Sequence, residues 1–229
     1  MSPPAERLVH VRVDSLTLEG ALAVPPAAGG IVLFAHGSGS SRKSPRNNFV
    51  ARELRAGGLG TLLMDLLTPE EDALRATRFD IDLLTRRLTA ATRWLADQPE
   101  TKALPLGYFG ASTGAAAALK AAAALGPDVR AVVSRGGRPD LAAPDLPRVQ
   151  APTLLIVGGL DDVVLDLNRR AYETLTARKE LVVVPRATHL FEEPGALEEV
   201  ARLARDWFTR YLGPPAARGG APARPMNAP

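Results

Sequence analysis

The sequence predicts an α/β fold with a mostly parallel sheet of about eight strands and helices on both faces. Three observations carry that expectation. Six short, almost continuously apolar runs rich in β-branched residues follow one another along the chain, as strands covered on both faces do. Helical patterns separate them, which is the alternation that winds a parallel sheet. Ahead of them stand two runs that alternate in period two, as a half-exposed antiparallel edge hairpin would.

In chain order, residues 8–13 and 16–24 are the hairpin, ended by Pro25-Pro26, which cannot continue a ladder. The buried strands follow at 31–35, 61–64, 104–109, 131–133, 153–157 and 181–184. The clearest helix runs over about 79–97, where Leu84, Leu88, Ala91 and Leu95 share one face. Further helices are expected over about 45–56, 112–125, 165–177 and 194–211, the last turning Val200, Leu203, Trp207 and Tyr211 toward the sheet. There is no internal repeat, so residues 1–213 read as one domain. Residues 214–229 hold five Pro and five Ala and no strong core residue, and read as a flexible C-terminal tail.

Composition narrows the chemistry. The 229 residues contain no cysteine and three histidines, His10, His36 and His189. The first count excludes disulfides, thiolate zinc sites, iron–sulfur clusters and cysteine nucleophiles. The second leaves little for a histidine-rich metal centre. No metal and no cofactor are expected, and catalysis would rest on hydroxyls, carboxylates and very few imidazoles. An apolar share of 46% against 23% charged residues is that of a soluble globular protein, and no apolar run reaches bilayer length. The net charge of +3 is small and its basic residues are dispersed, so neither a nucleic acid nor a membrane is expected as partner. The first residues lack the charged and apolar regions of a signal peptide, which makes a cytoplasmic location the expectation.

Gly110-Ala111-Ser112-Thr113-Gly114 follows an apolar strand and opens an Ala-rich helix. This is the setting of a nucleophile elbow, where small residues two before and two after the serine let a sharp strand-to-helix turn form against neighbouring chain. A serine hydroxyl needs a base to take its proton and a carboxylate to orient that base, in the chain order Ser, Asp, His for such a fold. Asp161 and His189 each lie just beyond a later strand, at the sheet edge where sites gather. Asp161 is preferred over its neighbour Asp162 because it stands at the tip of a Gly-Gly-Leu-Asp turn, and Asp166 could cap the next helix.

His36-Gly37-Ser38-Gly39-Ser40-Ser41 directly follows the first buried strand. Its backbone could approach a tetrahedral intermediate closely, so the N–H groups of Ser38 and Thr113 are the candidate oxyanion donors. His36 orders that loop, and His10 lies exposed on the edge hairpin. Arg135 and Arg138 near the carboxyl edge, with Arg42 after the oxyanion loop, are candidate substrate-binding residues that would suit an anionic acyl group; pairing with Asp140 or Asp145 is the competing role.

These segments, together with Ser134-Arg135-Gly136-Gly137-Arg138-Pro139-Asp140 and Ala187-Thr188-His189-Leu190-Phe191-Glu192-Glu193, resemble the α/β-hydrolase superfamily, specifically small dienelactone-hydrolase-like serine hydrolases, over nearly the whole chain to about Leu212. The resemblance implies a Ser112, Asp161 and His189 triad with an oxyanion hole at Ser38 and Thr113. Dienelactone hydrolases proper use a cysteine nucleophile, which this chain lacks, so their lactone substrate does not carry over. Residues 136–151 are the only room for a cap and are short and Pro-interrupted, so a minimal cap or none is expected. The expected activity is hydrolysis of small carboxylic esters through an acyl-serine. The alternatives are acyl transfer, thioester or amide cleavage on the same triad, or a non-catalytic partner of a phosphoribosyltransferase, a domain to which similar chains are sometimes joined. Oligomeric state is open, a homodimer included.

Overall fold

In the computed structural model, which describes residues 5–213, one eight-stranded sheet is covered on both faces by helices. Residues 214–229, read above as a flexible tail, lie outside the described residues. Strands β1 (Arg7–Val13) and β2 (Leu16–Ala23) form the antiparallel edge hairpin, with His10 exposed. The remaining strands, β3 (Ile31–Ala35), β4 (Gly60–Met64), β5 (Leu106–Ala111), β6 (Val129–Arg135), β7 (Thr153–Gly158) and β8 (Lys179–Val184), are mutually parallel. The order is β1-β2-β4-β3-β5-β6-β7-β8.

The helices are α1 (Pro45–Ala56), α2 (Pro69–Asp72), α3 (Arg75–Arg78), α4 (Ile81–Asp97), α5 (Thr113–Leu125), α6 (Asp162–Thr174) and α7 (Ala196–Leu212). One face of the sheet packs Val32, Phe34, Phe109 and Ile156 against Val50 and Leu54 of α1 and Val200, Ala204 and Phe208 of α7. The other packs Leu33, Tyr108 and Leu155 against Leu84, Leu88, Ala91 and Leu95 of α4 and the alanines of α5. Each strand between β3 and β7 is buried on both sides, which is why its sequence does not alternate. β8 departs from the expectation of a covered strand. It is the sheet's edge, and only Val184 of its six residues is fully buried.

Residues 136–151 form no cap. Residues Pro139–Arg148 are a kinked 3-10 stretch whose Ala142 and Leu146 join the core beside α5. No described helix is long and apolar enough to cross a membrane. The feature that places a site is the sheet order itself. β3 and β5 are neighbours, and the chain leaves β3 toward β4 and β5 toward β6, so their carboxyl ends form the switch point at which open parallel sheets place their sites.

Candidate active site

Ser112 stands between the last residue of β5 and the first of α5, with φ +51° and ψ −121°. A non-glycine residue in that region is strained by about 1–3 kcal/mol and persists only where its surroundings over-determine it. They do so here with backbone. The Ser112 N–H donates to the Arg135 carbonyl at 3.3 Å, and the Ser112 carbonyl accepts from the Arg138 N–H at 3.1 Å. A methyl group on Gly114 would lie 2.2 Å from the Ala35 carbonyl oxygen, and one on Gly110 2.4 Å from the Ala115 Cα. The spacing of glycines around the serine is thus a steric requirement of a turn wedged between β3 and α5.

Asp161 is the last residue before α6 and carries no capping bond; its carboxylate instead meets His189, with Oδ2 2.6 Å from Nδ1. A carboxylate can only accept, so Nδ1 holds the proton and Nε2 is left with a lone pair. Asp162, the neighbouring candidate, begins the helix and is exposed. The loop after β8 that carries His189 is laced to the loop after β7 by the Leu160 N–H donating to the Ala187 carbonyl at 2.9 Å. Thr188 donates its hydroxyl and N–H to Glu193 at 2.6 and 3.1 Å, which holds the Glu193 carboxyl below its ordinary range. The turn after β6 joins the two halves of the site. Arg135 holds the Ser112 N–H, and a methyl group on the next residue, Gly136, would come within 3.4 Å of the His189 ring.

The loop after β3 abuts the Ser112 turn: a methyl group on Gly37 would lie 3.0 Å from the Ser112 Cβ. His36 is buried and anchors this loop, its Nδ1 3.0 Å from the Gly37 carbonyl and its Nε2 accepting the Leu66 N–H at 2.9 Å. Burial pushes its pKa below the usual histidine range, in keeping with a neutral ring that donates at one nitrogen and accepts at the other. Ser38 is exposed, and Thr113 is the first residue of α5, where helix geometry leaves the N–H without an intrahelical partner. Among the described residues neither N–H finds another backbone acceptor.

The structure gives two of the three candidate substrate-binding arginines carboxylate partners. Arg42 is bound up with Asp65 and Glu19, its N–H also donating to Asp65 at 2.7 Å. Arg138 makes a two-point pair with Asp140 at 2.8 and 2.7 Å. Both guanidinium groups thus pair with carboxylates, which is the competing role for Arg138 with Asp140 and a role with other partners for Arg42. Arg135 differs. It is 8% exposed, stacked 5.9 Å from the Phe191 ring centroid, and its Nε and Nη1 are sealed without a hydrogen-bond partner among the described residues. Burial, and next the charge of Arg46, push it down to about 10, which leaves it a cation at neutral pH.

Three features escaped the sequence reading. The bracing by Glu193 and the Asp65 partner of Arg42 join residues across loops and leave no periodic signal. The short α2 does leave one, since Thr68 and Glu71 form a reciprocal capping box behind Pro69.

Residues 68–212 match the dienelactone hydrolase family. The chain belongs to that family. A dienelactone hydrolase from Anabaena variabilis, solved as a crystal structure, is 59% identical, with a TM-score of 0.89 over 92% of this chain and all of that one. The Butyrivibrio proteoclasticus protein Est1E shares the fold at 14% identity, with a TM-score of 0.78 over 90% of this chain and 98% of its own. A Mycobacterium tuberculosis protein provisionally named a phosphoribosyl transferase is 58% identical over 217 residues, which are 95% of this chain and 49% of that protein. This dienelactone hydrolase family member thus spans about half the length of that curated relative. The family match and the fold neighbours agree with the α/β-hydrolase architecture read from sequence.

Proposed function

We propose that the chain is a serine hydrolase of carboxylic esters, with Ser112 as nucleophile, His189 as base and Asp161 as the group that orients it. The observation that supports this most is the Asp161–His189 hydrogen bond of 2.6 Å at the sheet edge that also carries the strained Ser112 turn. His189 takes the Ser112 proton as Oγ bonds to the acyl carbon. The ester C–O bond then breaks, and the same proton leaves with the alcohol. Water activated by His189 releases the acid and restores the serine. The N–H groups of Ser38 and Thr113 would receive the oxyanion, each donor worth about a hundred- to a thousandfold in turnover. Hydrolysis of a short-chain activated ester is the test: Ser112→Ala should abolish it, and unimpaired turnover would refute the assignment.

Arg135 is the remaining candidate for an anionic acyl group, supported by its having no carboxylate partner among the described residues where Arg42 and Arg138 have theirs. Arg135→Met should cut kcat/KM for carboxylate-bearing esters about tenfold or more beyond any loss on neutral ones. Equal losses on both would remove the anionic substrate.

One observation favours a second reading, that of a non-catalytic partner of a phosphoribosyltransferase: a relative twice as long carries that provisional name. The retained Ser112, Asp161 and His189 weigh against it, since a scaffold has no use for all three. Failure of every ester, thioester and amide probe, with tight binding to such a partner, would reverse the order.

A further inference from the structure

Exposed apolar side chains scattered singly need no explanation, but here three stand around one hydrogen bond. Leu160, Val163 and Leu190 are 62%, 74% and 40% exposed. Leu160 precedes Asp161, Val163 lies in the first turn of α6, and Leu190 follows His189. The two loops are held together by the Leu160–Ala187 bond and by the Gly159 N–H donating to the Val184 carbonyl at 2.9 Å, so these three exposed residues are carried on the same two loops as the Asp161–His189 pair. None of the three belongs to a core cluster.

The chemistry of the base says which part of an ester would lie there. A histidine that takes the serine proton must hand it to the departing oxygen, so the alcohol side of the scissile bond is the side next to His189. We infer that Leu160, Val163 and Leu190 form an open subsite for the apolar portion of the leaving alcohol, which makes esters of alkyl or aryl alcohols the substrate class. This rests on the serine-hydrolase reading above and adds a direction to it. The acyl group lies on the other side of the reacting carbon, toward the elbow and Arg135.

The experiment is kcat/KM for ethyl, butyl and hexyl acetate, whose alcohols differ little in acidity, so that the trend reads binding rather than leaving-group chemistry. Partial burial of each methylene is worth about twofold, which predicts hexyl over ethyl acetate at about fifteenfold in the wild type. In the combined variant Leu160→Ser, Val163→Ser and Leu190→Ser that ratio should fall to about twofold or less. A ratio is independent of the fraction of folded enzyme. Leu8→Ser, 54% exposed on β1 at the opposite sheet edge, should keep the wild-type ratio, and the trend from ethyl acetate to ethyl hexanoate should survive in the combined variant. A flat alcohol series in the wild type, an unaltered ratio in the variant, or a loss confined to the acyl series would overturn the subsite. A change of oligomeric state in the variant would overturn it too, by giving the three residues to a contact between copies. Any of these with Ser112 still reactive toward a fluorophosphonate strikes the subsite alone, whereas an unreactive Ser112 without turnover strikes the hydrolase reading.

Discussion

At Ser112 the turn is held by backbone alone, whereas at His189 backbone bonds between loops are supplemented by side chains that reach from one loop to the next. The elbow has no slack. Its two glycines sit against carbonyl oxygens and a Cα with no room for a methyl group, and its strained φ is fixed by hydrogen bonds on both sides of the serine, from the end of β6 and from the turn that follows it. The loop after β8 is as close to backbone at Gly158, where a methyl group would lie 2.4 Å from the Ala187 carbonyl oxygen, but its histidine depends on side chains as well. His189 is about a third exposed, Arg186 and Phe191 take positive φ on either side of it, and Glu193 and Asp161 supply the contacts that fix it. The contrast teaches where each kind of damage should appear. Substitutions at the loop should cost activity and spare the fold, while substitutions at the elbow should cost the fold itself.

The largest effect falls on the loop. Asp161→Asn keeps the shape but can offer its amide to Nδ1, which favours the wrong tautomer, so kcat should fall roughly a thousand- to ten-thousandfold with the melting temperature within a few degrees of wild type. A large loss of stability instead would mean that the Asp161–His189 pair is part of the fold's support and would blur the contrast. Gly114→Ala is the complementary break. Its methyl group must displace β3 or α5, which should cost about 3 kcal/mol or more and lower the melting temperature by roughly 10 °C. A stable Gly114→Ala with full activity would show that the elbow has the slack denied to it here.

His36 offers the smallest and most specific test, because it ties the loop after β3 to that after β4. Burial lowers its pKa in the folded chain, so below the ordinary value of 6.5 the unfolded chain takes up the proton first. Stability is therefore whole above about pH 6.5 and declines as the pH falls below it. His36→Gln should be less stable than wild type near pH 7.5, by about 1–3 kcal/mol if the Leu66 N–H is left unpaired. Thermal melts should show that gap narrowing between pH 7.5 and 5.5. A gap that widens over the same range would mean a protonated His36 in the folded chain.

Most of the architecture was legible because local pattern and global position coincide in it. The apolar runs at β3 to β7 are buried on both faces, and the Gly-Ala-Ser-Thr-Gly turn is fixed by contacts that only small residues allow. β8 misled because an edge strand made of Leu181, Val182, Val183 and Val184 has the same text as an interior one; only its place in the sheet exposes it. Asp161 and Asp162 are adjacent and identical in chemistry, and what separates them is the residue at which α6 begins. The arginines show the same limit. Arg42 and Asp65 are 23 residues apart, and no spacing announces a pair that the crossing of two loops creates. Arg135 is singled out by what it lacks in space, which a linear pattern does not record.

The central claim is that Ser112 is an activated nucleophile, and the site of covalent labelling tests it most directly. Incubation of the wild-type chain with a fluorophosphonate, followed by peptide mass mapping, should place one adduct on Ser112, with labelling slowed strongly in Asp161→Asn and absent in Ser112→Ala. An adduct on another serine, or equal labelling of the wild type and Asp161→Asn, would contradict it.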